Sequence, residues 1–368
     1  MRIDELVLQN FRTYPELTLR LHPSLNFFHG PNAAGKTNII EAIHMVGMGR
    51  SHRASKDDEL ITWAADAYRI RARITARIGN QTVEICSQRG QRKEVKVNGE
   101  RKRRLSELLG IFNVVLFTPD DLEMVKGSPA ARRRFLDAVI CQLSPQYYHY
   151  LARYNHVLQQ RNAVLRTPGS RETLEVWDEQ LVQYGSELIF RRMHAVRKLA
   201  GLARSNYREI SREGDDLTVV YRTFMALDDS ATVEAIKRRL AQEVQRSRRI
   251  EEKKGYTMVG PQRDDLGLAI QGAEARLFAS QGQQRTIVLA LKMAEMEFLA
   301  EGAGEYPVLL LDDVFSELDD SRRGNLLEKM SRPVQTLITS TNTNPLRDLR
   351  VRGKRFQVAG GKVTEVQL

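Results

Sequence analysis

The chain has 368 residues, which is enough for two domains that each bury a core. It contains 57 Lys and Arg and 46 Asp and Glu, and the resulting net charge of +11 favours an anionic partner such as nucleic acid. The only cysteines, Cys86 and Cys141, lack a Cys-x-x-Cys spacing, which disfavours a zinc site or a disulfide framework. No apolar run approaches the roughly 18 residues of a membrane span and charges interrupt the N-terminal segment, so we expect a cytoplasmic protein with no membrane partner.

Near the N-terminus, short strands are predicted at Ile3–Leu8, Leu17–Leu21 and Leu25–His29, and a buried helix at Asn38–Met48. Between the last strand and the helix lies GPNAAGKT, which fits the G-x-x-x-x-G-K-[ST] pattern at every fixed position. The strand–loop–helix context makes this pattern specific for a loop that cradles nucleotide phosphates, the Walker A loop. The loop consists of Gly30, Pro31, Asn32, Ala33, Ala34, Gly35, Lys36 and Thr37.

The residue types of this loop predict ATP and Mg²⁺ as cofactors. Gly30 and Gly35 let backbone N–H groups wrap the phosphates, and Lys36 would reach the β- and γ-phosphates. The Thr37 hydroxyl would ligate Mg²⁺, and Asn32 would orient a water or a γ-phosphate oxygen.

From Tyr68 the apolar residues alternate with polar ones, with turn signals at Gly79-Asn80 and Asn98-Gly99, which predicts an antiparallel meander. Between Arg69 and Arg104 there are 12 Lys or Arg and 3 Asp or Glu, a net of +9. A solvated face and a phosphate-contacting surface both explain this charge.

Helical spacing begins at Pro129 and continues to about Ser211, with breaks at Ser144-Pro145 and Thr167–Ser170. A further helix, dense in Lys and Arg, is predicted at Ala231–Lys254. The apolar stripes keep no strict heptad, so a long coiled-coil arm is not supported.

After Gly255 strand and helix signals alternate again. The predicted elements are Leu266–Ile270, Gln283–Ala300, Val308–Leu311, Ser321–Ser331 and Thr336–Thr339. The predicted organisation is an α/β nucleotide domain formed by residues 1–125 and 255–368, with the meander at about residues 66–100, and an inserted helical domain at residues 126–254.

The segment LLLDDVFSELDD places two carboxylates, Asp312 and Asp313, after four consecutive apolar residues. A solvated loop or a helix cap is the ordinary role for acids at a strand end, but this is also where a P-loop fold presents Mg²⁺. Asp312 would hold Mg²⁺ through water, and Asp313 would polarise the attacking water. Because Asp is one methylene shorter than Glu, slow hydrolysis is predicted.

Upstream, FASQGQQR contains a Ser280-Gln281-Gly282 turn that is predicted to cap the helix beginning at Gln283. By itself this would be an ordinary helix cap. The serine hydroxyl and the helix dipole also form an anion site, which no second phosphate of the same subunit would fill. A second copy of the chain would therefore supply the phosphate.

Together these motifs resemble the head domains of ABC-type ATPases, and in detail the chain resembles the RecF family of bacterial recombination-mediator ATPases, related to SMC-type chromosome proteins. The matching stretches run nearly end to end. They are LQNFR at Leu8–Arg12, SHR at Ser51–Arg53, LFTPDDLEMVKGSPAARRRFLD at Leu116–Asp137, YNHVLQQRNAVL at Tyr154–Leu165, VGPQRDDL at Val259–Leu266, and the ASQGQQR and LLLDDVFSELD segments.

The resemblance implies an α/β fold, an ABC-type P-loop ATPase head with an antiparallel β subdomain and an inserted α-helical domain. It implies that the signature residues Ser280, Gln281, Gly282 and Gln283 contact ATP bound to a partner subunit, in an ATP-dependent homodimer. Asp312 and Asp313 take the Walker B and catalytic roles, with Thr37 and Asp312 on Mg²⁺. The remaining implied positions are Ser316 and Asp319 in the D-loop, Arg12 and Arg53 as candidate phosphate or DNA contacts, and Thr118 at the Q-loop position.

Three departures from related heads are visible. Ala33 stands where many P-loops have Gly, which would be tolerated if its φ is negative. Thr118 occupies a position that is Gln in SMC heads, and the ITSTN segment at Ile338–Asn342 has no switch histidine. The last two departures argue against fast turnover, and the resemblance implies a weak ATPase that is stimulated by DNA and acts as a switch.

The implied function is ATP-driven dimerisation on duplex DNA near gaps or junctions with single strands, reset by slow hydrolysis. It would serve DNA replication, recombinational repair and the SOS response to DNA damage, with a RecR-like mediator that helps to load recombinase. The first alternative, a transporter ATPase subunit, predicts a Leu-Ser-Gly-Gly-Gln signature, a Glu after the strand-end Asp and a switch His, which this chain lacks. The second, a nuclease or DNA motor, predicts a metal-ligand cluster or helicase motifs, which the sequence does not show.

Overall fold

In the computed structural model, the chain divides into two compact units, residues 1–121 with 295–368, and residues 122–294. The structure describes residues 1–167, 171–211, 214–228, 230–316, 324, 334–341 and 352–366. Among the helices of these ranges, none combines the length and the apolarity needed to cross a membrane.

The helices and strands follow the predicted pattern closely, with additional strands. The strands are β1 Arg2–Phe11, β2 Tyr14–Arg20, β3 Leu25–His29, β4 Ala67–Ala76, β5 Gly79–Gln88, β6 Glu94–Val97, β7 Glu100–Lys102, β8 Val114–Phe117, β9 Leu217–Arg222, β10 Asp265–Ile270, β11 Ala273–Glu274, β12 Val308–Asp312, β13 Thr336–Ser340, β14 Gly353–Ala359 and β15 Lys362–Val366. The helices are α1 Lys36–Met48, α2 Glu123–Lys126, α3 Pro129–Leu143, α4 Pro145–Leu165, α5 Arg171–Ile210, α6 Val233–Lys254, α7 Ala275–Phe278 and α8 Gln281–Ala303.

The antiparallel sheet of the first unit has the strand order β2-β1-β4-β5-β6-β7, which confirms the predicted meander. Its strands alternate buried apolar residues with outward polar ones, because successive side chains of a strand point to opposite faces. Six of the 12 cations between residues 69 and 104 form ion pairs. Two partner carboxylates, Glu5 and Asp57, lie outside that segment, so residues elsewhere in the unit neutralise part of its positive charge.

The second sheet of this unit has the order β15-β14-β3-β13-β12-β8 and is parallel except for β15. Strands β12 and β13 are buried along their whole lengths, as expected for a sheet covered on both faces. Their parallel register sets Asp312 beside Thr339, and β13 also pairs with β3, which leads into the Walker A loop. The carboxyl ends of β3, β12 and β13 therefore meet at one edge.

Buried arginines join the helices of the second unit. Arg161 is fully buried and donates to Asp178 at 2.6 Å and to Glu251 at 2.7 Å. Arg192 donates to both carboxylate oxygens of Asp137 at 3.0 Å. Removing one partner of such a pair would leave a buried charge without a partner, which is strongly destabilising. These contacts therefore hold α3, α4, α5 and α6 in one arrangement.

The second unit also contains a three-stranded sheet of order β11-β10-β9. The predicted insertion, residues 126–254, lies within this unit, and its strand β9 pairs with β10 outside the insertion. The predicted helix Ser321–Ser331 lies outside the described residues.

The buried carboxyl of Asp264, just before β10, titrates unusually. It accepts hydrogen bonds from the Tyr221 hydroxyl and from the Phe224 N–H. Burial raises the pKa of Asp264 to about 6, although Tyr221, Arg192 and Phe224 favour its charged form. The folded chain therefore holds this proton more tightly than the unfolded chain, in which an Asp titrates near pH ~4.

This shift predicts a pH-dependent stability that Asp264→Asn removes. The Asp264 contribution to the free energy of unfolding is complete below about pH 4 and is lost as the pH rises through 6, up to roughly 3 kcal/mol. Because Asn is neutral at every pH, the variant should gain stability relative to the wild type across this window. Denaturant unfolding between pH 4 and 7 measures the difference, with Asp228→Asn, at an exposed position, as control. Parallel curves for Asp264→Asn and wild type would contradict the assignment.

Candidate functional site

The Walker A loop runs from the end of β3 into α1, as predicted, although α1 begins at Lys36 rather than Asn38. Gly30 packs against the backbone, because a Cβ there would lie 2.0 Å from the carbonyl oxygen of Val358. Gly35 has φ +108°, and its carbonyl accepts a 3.0 Å hydrogen bond from Tyr14, whose hydroxyl leaves no room for a side chain. Both glycines are therefore required by the shape of the loop.

Ala33 corrects one expectation. Its φ is +60°, whereas tolerance of alanine was expected on the basis of a negative φ. The loop turns through the left-handed region here, where a Cβ crowds the following carbonyl at a cost of about 1–2 kcal/mol. The Ala34 N–H donates to the Pro31 carbonyl at 3.3 Å and closes the turn in which Ala33 adopts this conformation.

The ammonium group of Lys36 lies inside the loop. Its Nζ donates to the carbonyl oxygens of Gly30 at 2.8 Å and Pro31 at 2.9 Å, and the residue is only 7% exposed. Burial lowers the pKa of Lys36, while Asp313 and Asp312 favour its charged form. The structure thus places the predicted phosphate-binding cation within the predicted phosphate-binding backbone.

Thr37 and Asp312, separated by 275 residues in sequence, are in direct contact. The Thr37 hydroxyl donates to Asp312 Oδ1 at 3.0 Å, and the Thr339 hydroxyl donates to the same oxygen at 2.7 Å. The Asp313 N–H donates to the Thr339 hydroxyl oxygen at 3.0 Å, and Asp313 has φ +54°. Thr339 therefore orients both predicted Walker B residues, a role that the sequence did not suggest.

This oxygen set fits Mg²⁺. Mg²⁺ prefers oxygen ligands and is usually held by one or two protein groups together with water and substrate phosphates. Thr37 and Asp312 supply a hydroxyl and a carboxylate beside the phosphate loop. The described residues contain no cluster of three His, Cys, Asp or Glu side chains, so a metal bound only by such side chains is not indicated in these ranges.

Arg12 and Arg53 converge on Glu41, which belongs to none of the sequence motifs. Arg12 grips the buried Glu41 with two hydrogen bonds of 2.9 and 2.8 Å, and Arg53 lies 3.8 Å from it. Ser51 also donates to Glu41. Burial raises the pKa of Glu41, but the hydrogen bonds from Arg12 and Ser51 outweigh it and hold this pKa below its usual value. The sequence signal for this residue is that Glu41 is the single acid within the apolar helix sequence NIIEAIHM.

Glu41 thus sets the positions of both arginines. Arg53 keeps about half of its side chain exposed and reaches Asn38 at 3.4 Å, in the first turn of α1. Arg12 is mostly enclosed, and its backbone has φ +54°. Of the two predicted anion contacts, Arg53 is the more accessible.

The signature turn lies in the second unit, where Ser280 caps α8 as predicted, although α8 begins at Gln281 rather than Gln283. Its hydroxyl accepts from the Gln283 N–H at 3.2 Å, and the Gln283 side chain accepts from the Ser280 N–H at 2.9 Å. This reciprocal pair is a capping box. Gln283 also donates to Asp215 at 2.9 Å, while Ser280 and Gln281 remain exposed.

The other predicted site residues are less fully described. Thr118 follows β8, and its N–H donates to Asp121 at 2.7 Å. Ser316 ends a short 3-10 turn at Val314–Ser316. The Ser316 side chain and Asp319 lie outside the described residues.

Comparison with known proteins gives a consistent assignment. The family model described as RecF/RecN/SMC N terminal domain matches residues 2–362. The DNA replication and repair protein RecF of Symbiobacterium thermophilum is 44% identical over 99% of this chain and 98% of its own length. The protein of the same name from Halothermothrix orenii is 41% identical over 99% of both chains.

Solved structures agree. A structure of the recombination mediator protein RecF-ATPrS in the RecFOR pathway superposes with a TM-score of 0.92 and 34% identity, covering 100% of this chain and 98% of that one. An SmcHead structure, bound to the C-winged helix domain of ScpA, shares the fold, with a TM-score of 0.58, 17% identity and coverage of 100% and 98%. The fold is therefore that of an ABC-type P-loop ATPase head, and the chain belongs to the RecF/RecN/SMC N-terminal domain family as a member of its RecF branch.

Proposed function

We propose that this chain is an ATP-dependent DNA-binding protein of DNA replication and recombinational repair, which closes into a homodimer around ATP. The contact between Thr37 and Asp312 beside the Lys36 loop is the observation that carries the proposal. This contact places a hydroxyl and a carboxylate beside the loop that contains the Lys36 ammonium, and these are the three kinds of group with which a P-loop protein would bind a nucleotide triphosphate and Mg²⁺. The superposition with the RecF-ATPrS structure supports ATP as the ligand.

In this proposal the loop residues bind and orient the nucleotide. Lys36 would exchange its two carbonyl partners for phosphate oxygens, which carry more negative charge. The N–H groups at the start of α1 face the same anion. Thr37 and Asp312 would hold Mg²⁺, which when bound neutralises charge on the β- and γ-phosphates.

Closure of the dimer would use Ser280 of a second subunit. Its N–H and hydroxyl lie at the start of α8, where the helix dipole favours an anion. Since Ser280 and Gln281 are exposed, they are accessible to a γ-phosphate bound by another copy. ADP lacks that phosphate and would not support closure, because a ligand shifts an equilibrium only by its differential affinity for the two states.

Hydrolysis would be slow and would serve to reopen the dimer. Asp313 is the proposed group that polarises water, and its backbone is held by Thr339. Its side chain is shorter than that of Glu, so a well-aligned attack on the phosphate is harder to reach. The protein would then act as a timer for DNA residence, with a RecR-like mediator as a further partner.

The DNA-binding surface is proposed to include α6. Arg249 and Lys253 are exposed, lie four residues apart on one face of this helix, and form no ion pair with the described residues. Other cations of α6, such as Arg246 and Arg248, are held by carboxylates. Unpaired cations contact phosphates without first losing a partner, so they contribute most to binding.

The test is DNA binding in each nucleotide state. The wild type should bind duplex or gapped DNA with a non-hydrolysable ATP analogue and bind weakly with ADP. Arg249→Glu combined with Lys253→Glu should weaken this binding roughly 10- to 100-fold at ~0.1 M salt and lower its salt dependence. Gel shift and fluorescence anisotropy measure both effects.

A matched control reverses Arg204 and Arg208 of α5 to Glu. These cations belong to the same unit but are already paired with Asp216, so a smaller effect is expected. Equal losses in both variants would refute the assignment to α6. If the wild type binds no DNA in any nucleotide state, the proposed function itself is wrong.

A further inference from the structure

Leu277 and Phe278 form an exposed apolar pair just before the signature turn. Their exposed fractions are 69% and 72%, and they are the only two sequence neighbours among the large exposed apolar residues of the described ranges. Large apolar side chains scattered singly on a surface are normal, whereas neighbouring ones that add up to a contiguous apolar area are typical of interaction sites. We therefore consider Leu277 and Phe278 as part of an interaction surface.

The backbone fixes the pair in its outward position. Both residues belong to α7, whose first residue, Ala275, is buried to 1% exposure. The Ala279 N–H donates to the Ala275 carbonyl at 3.1 Å and closes the helical turn. The capping box of Ser280 and Gln283 follows at once. Leu277 and Phe278 are thus held between the buried Ala275 and the capping box of Ser280 and Gln283.

The surroundings of the pair have the composition of an interface. Arg276, Ser280 and Gln281 are exposed polar residues that flank Leu277 and Phe278. Protein interfaces commonly have an apolar centre with a polar rim, and aromatic residues and Arg are enriched in them. The patch also lies close to the anion site, because two residues of chain span at most about 7 Å.

We propose that Leu277 and Phe278 are the apolar anchor of the contact with a second copy of this chain. The inference rests on the proposed function, in which Ser280 meets the ATP of the partner subunit. A copy that brings a phosphate to Ser280 must also cover the surface within about 7 Å of it, and Phe278 lies within that reach. The second copy is therefore the occupant that the position of the patch favours.

Ser280 and the apolar pair would contribute to the dimer in different ways. Ser280 would bind the γ-phosphate, so it makes closure of the dimer depend on ATP. The apolar pair has no charge to recognise and contributes affinity in every nucleotide state. A substitution of the pair should therefore weaken the dimer without changing how a monomer binds ATP.

Phe278→Asp and Leu277→Asp test this proposal. Each should raise the dimer dissociation constant roughly 100-fold or more with a non-hydrolysable ATP analogue, as expected for a buried interface anchor. Sedimentation velocity over a range of protein concentrations measures this constant. Binding of a fluorescent ATP analogue by the monomer should stay within about twofold of the wild type, and Phe278→Leu should retain most of the dimer.

The matched control is Ile78→Asp. Ile78 is 64% exposed and lies in the turn between β4 and β5. The substitution therefore introduces the same charge at an apolar position of similar exposure. This variant should dimerise like the wild type. If Phe278→Asp dimerises normally, or if Ile78→Asp loses the dimer to the same extent, the proposed role of Leu277 and Phe278 is wrong, while the proposed function is unaffected. If the wild type remains monomeric with the ATP analogue, both this inference and the proposed ATP-dependent dimer are wrong.

Discussion

Replacing Lys36 by Ala is expected to abolish nucleotide binding and, with it, dimerisation and ATP-dependent DNA binding. The ammonium lies within hydrogen-bond distance of the Gly30 and Pro31 carbonyls, inside the loop that would hold the phosphates. Loss of a charge-assisted contact to phosphate, in a partly buried site, should weaken binding at least ~100-fold, or about 3 kcal/mol. Titration with a fluorescent ATP analogue measures the loss.

The control for this experiment is Lys354→Ala. Lys354 belongs to the same unit and pairs with Glu365 at 2.9 Å, and its neighbour on β3 is Asn26, near the start of the strand rather than the loop at its end. It should bind nucleotide like the wild type and show a similar melting temperature. Nucleotide affinity of Lys36→Ala within about threefold of the wild type would rule out the proposed role of the loop.

Ser280→Arg is expected to separate nucleotide binding from dimerisation. The long cationic side chain would occupy the exposed start of α8, where a partner's γ-phosphate is proposed to lie. Lys36, Thr37 and Asp312 are unchanged, so the monomer should bind ATP with its normal affinity. Light scattering with a non-hydrolysable ATP analogue should then show a dimer for the wild type and a monomer for the variant.

Thr232→Arg supplies a matched control, because Thr232 caps α6 in the same unit by accepting from the Ala235 N–H at 3.3 Å. Both substitutions remove an N-cap, worth about 1 kcal/mol of stability. Only Ser280→Arg should lose the dimer. A dimeric Ser280→Arg protein in the presence of the analogue would refute the shared site.

Local chemistry made much of this protein predictable. The Walker A loop needs two glycines, a lysine and a hydroxyl at set spacings, and the break between α3 and α4 follows from the turn-forming pair Ser144-Pro145. Strand β3 was predicted with its observed ends, and α3, α4 and α6 to within a few residues. Such features depend on neighbours in the chain.

Other elements escaped sequence analysis. Strands β8, β14 and β15 were not predicted, although all three belong to the nucleotide-binding sheet. The sequence of β8, VVLF, is a short apolar run that does not distinguish a strand from a buried helix. Its strand conformation depends on pairing with β12, nearly 200 residues away in sequence.

The sequence by itself determined the ligand chemistry of this protein: a phosphate loop, a pair of carboxylates after an apolar strand, and a serine that caps a helix. Only the tertiary structure decided which groups meet. It placed Asp312 between Thr37 and Thr339, enclosed Glu41 with two arginines, and left Leu277 and Phe278 uncovered beside the signature turn. The physical reason is that burial, pairing and exposure depend on residues distant in the chain, which spacing within a motif does not reveal.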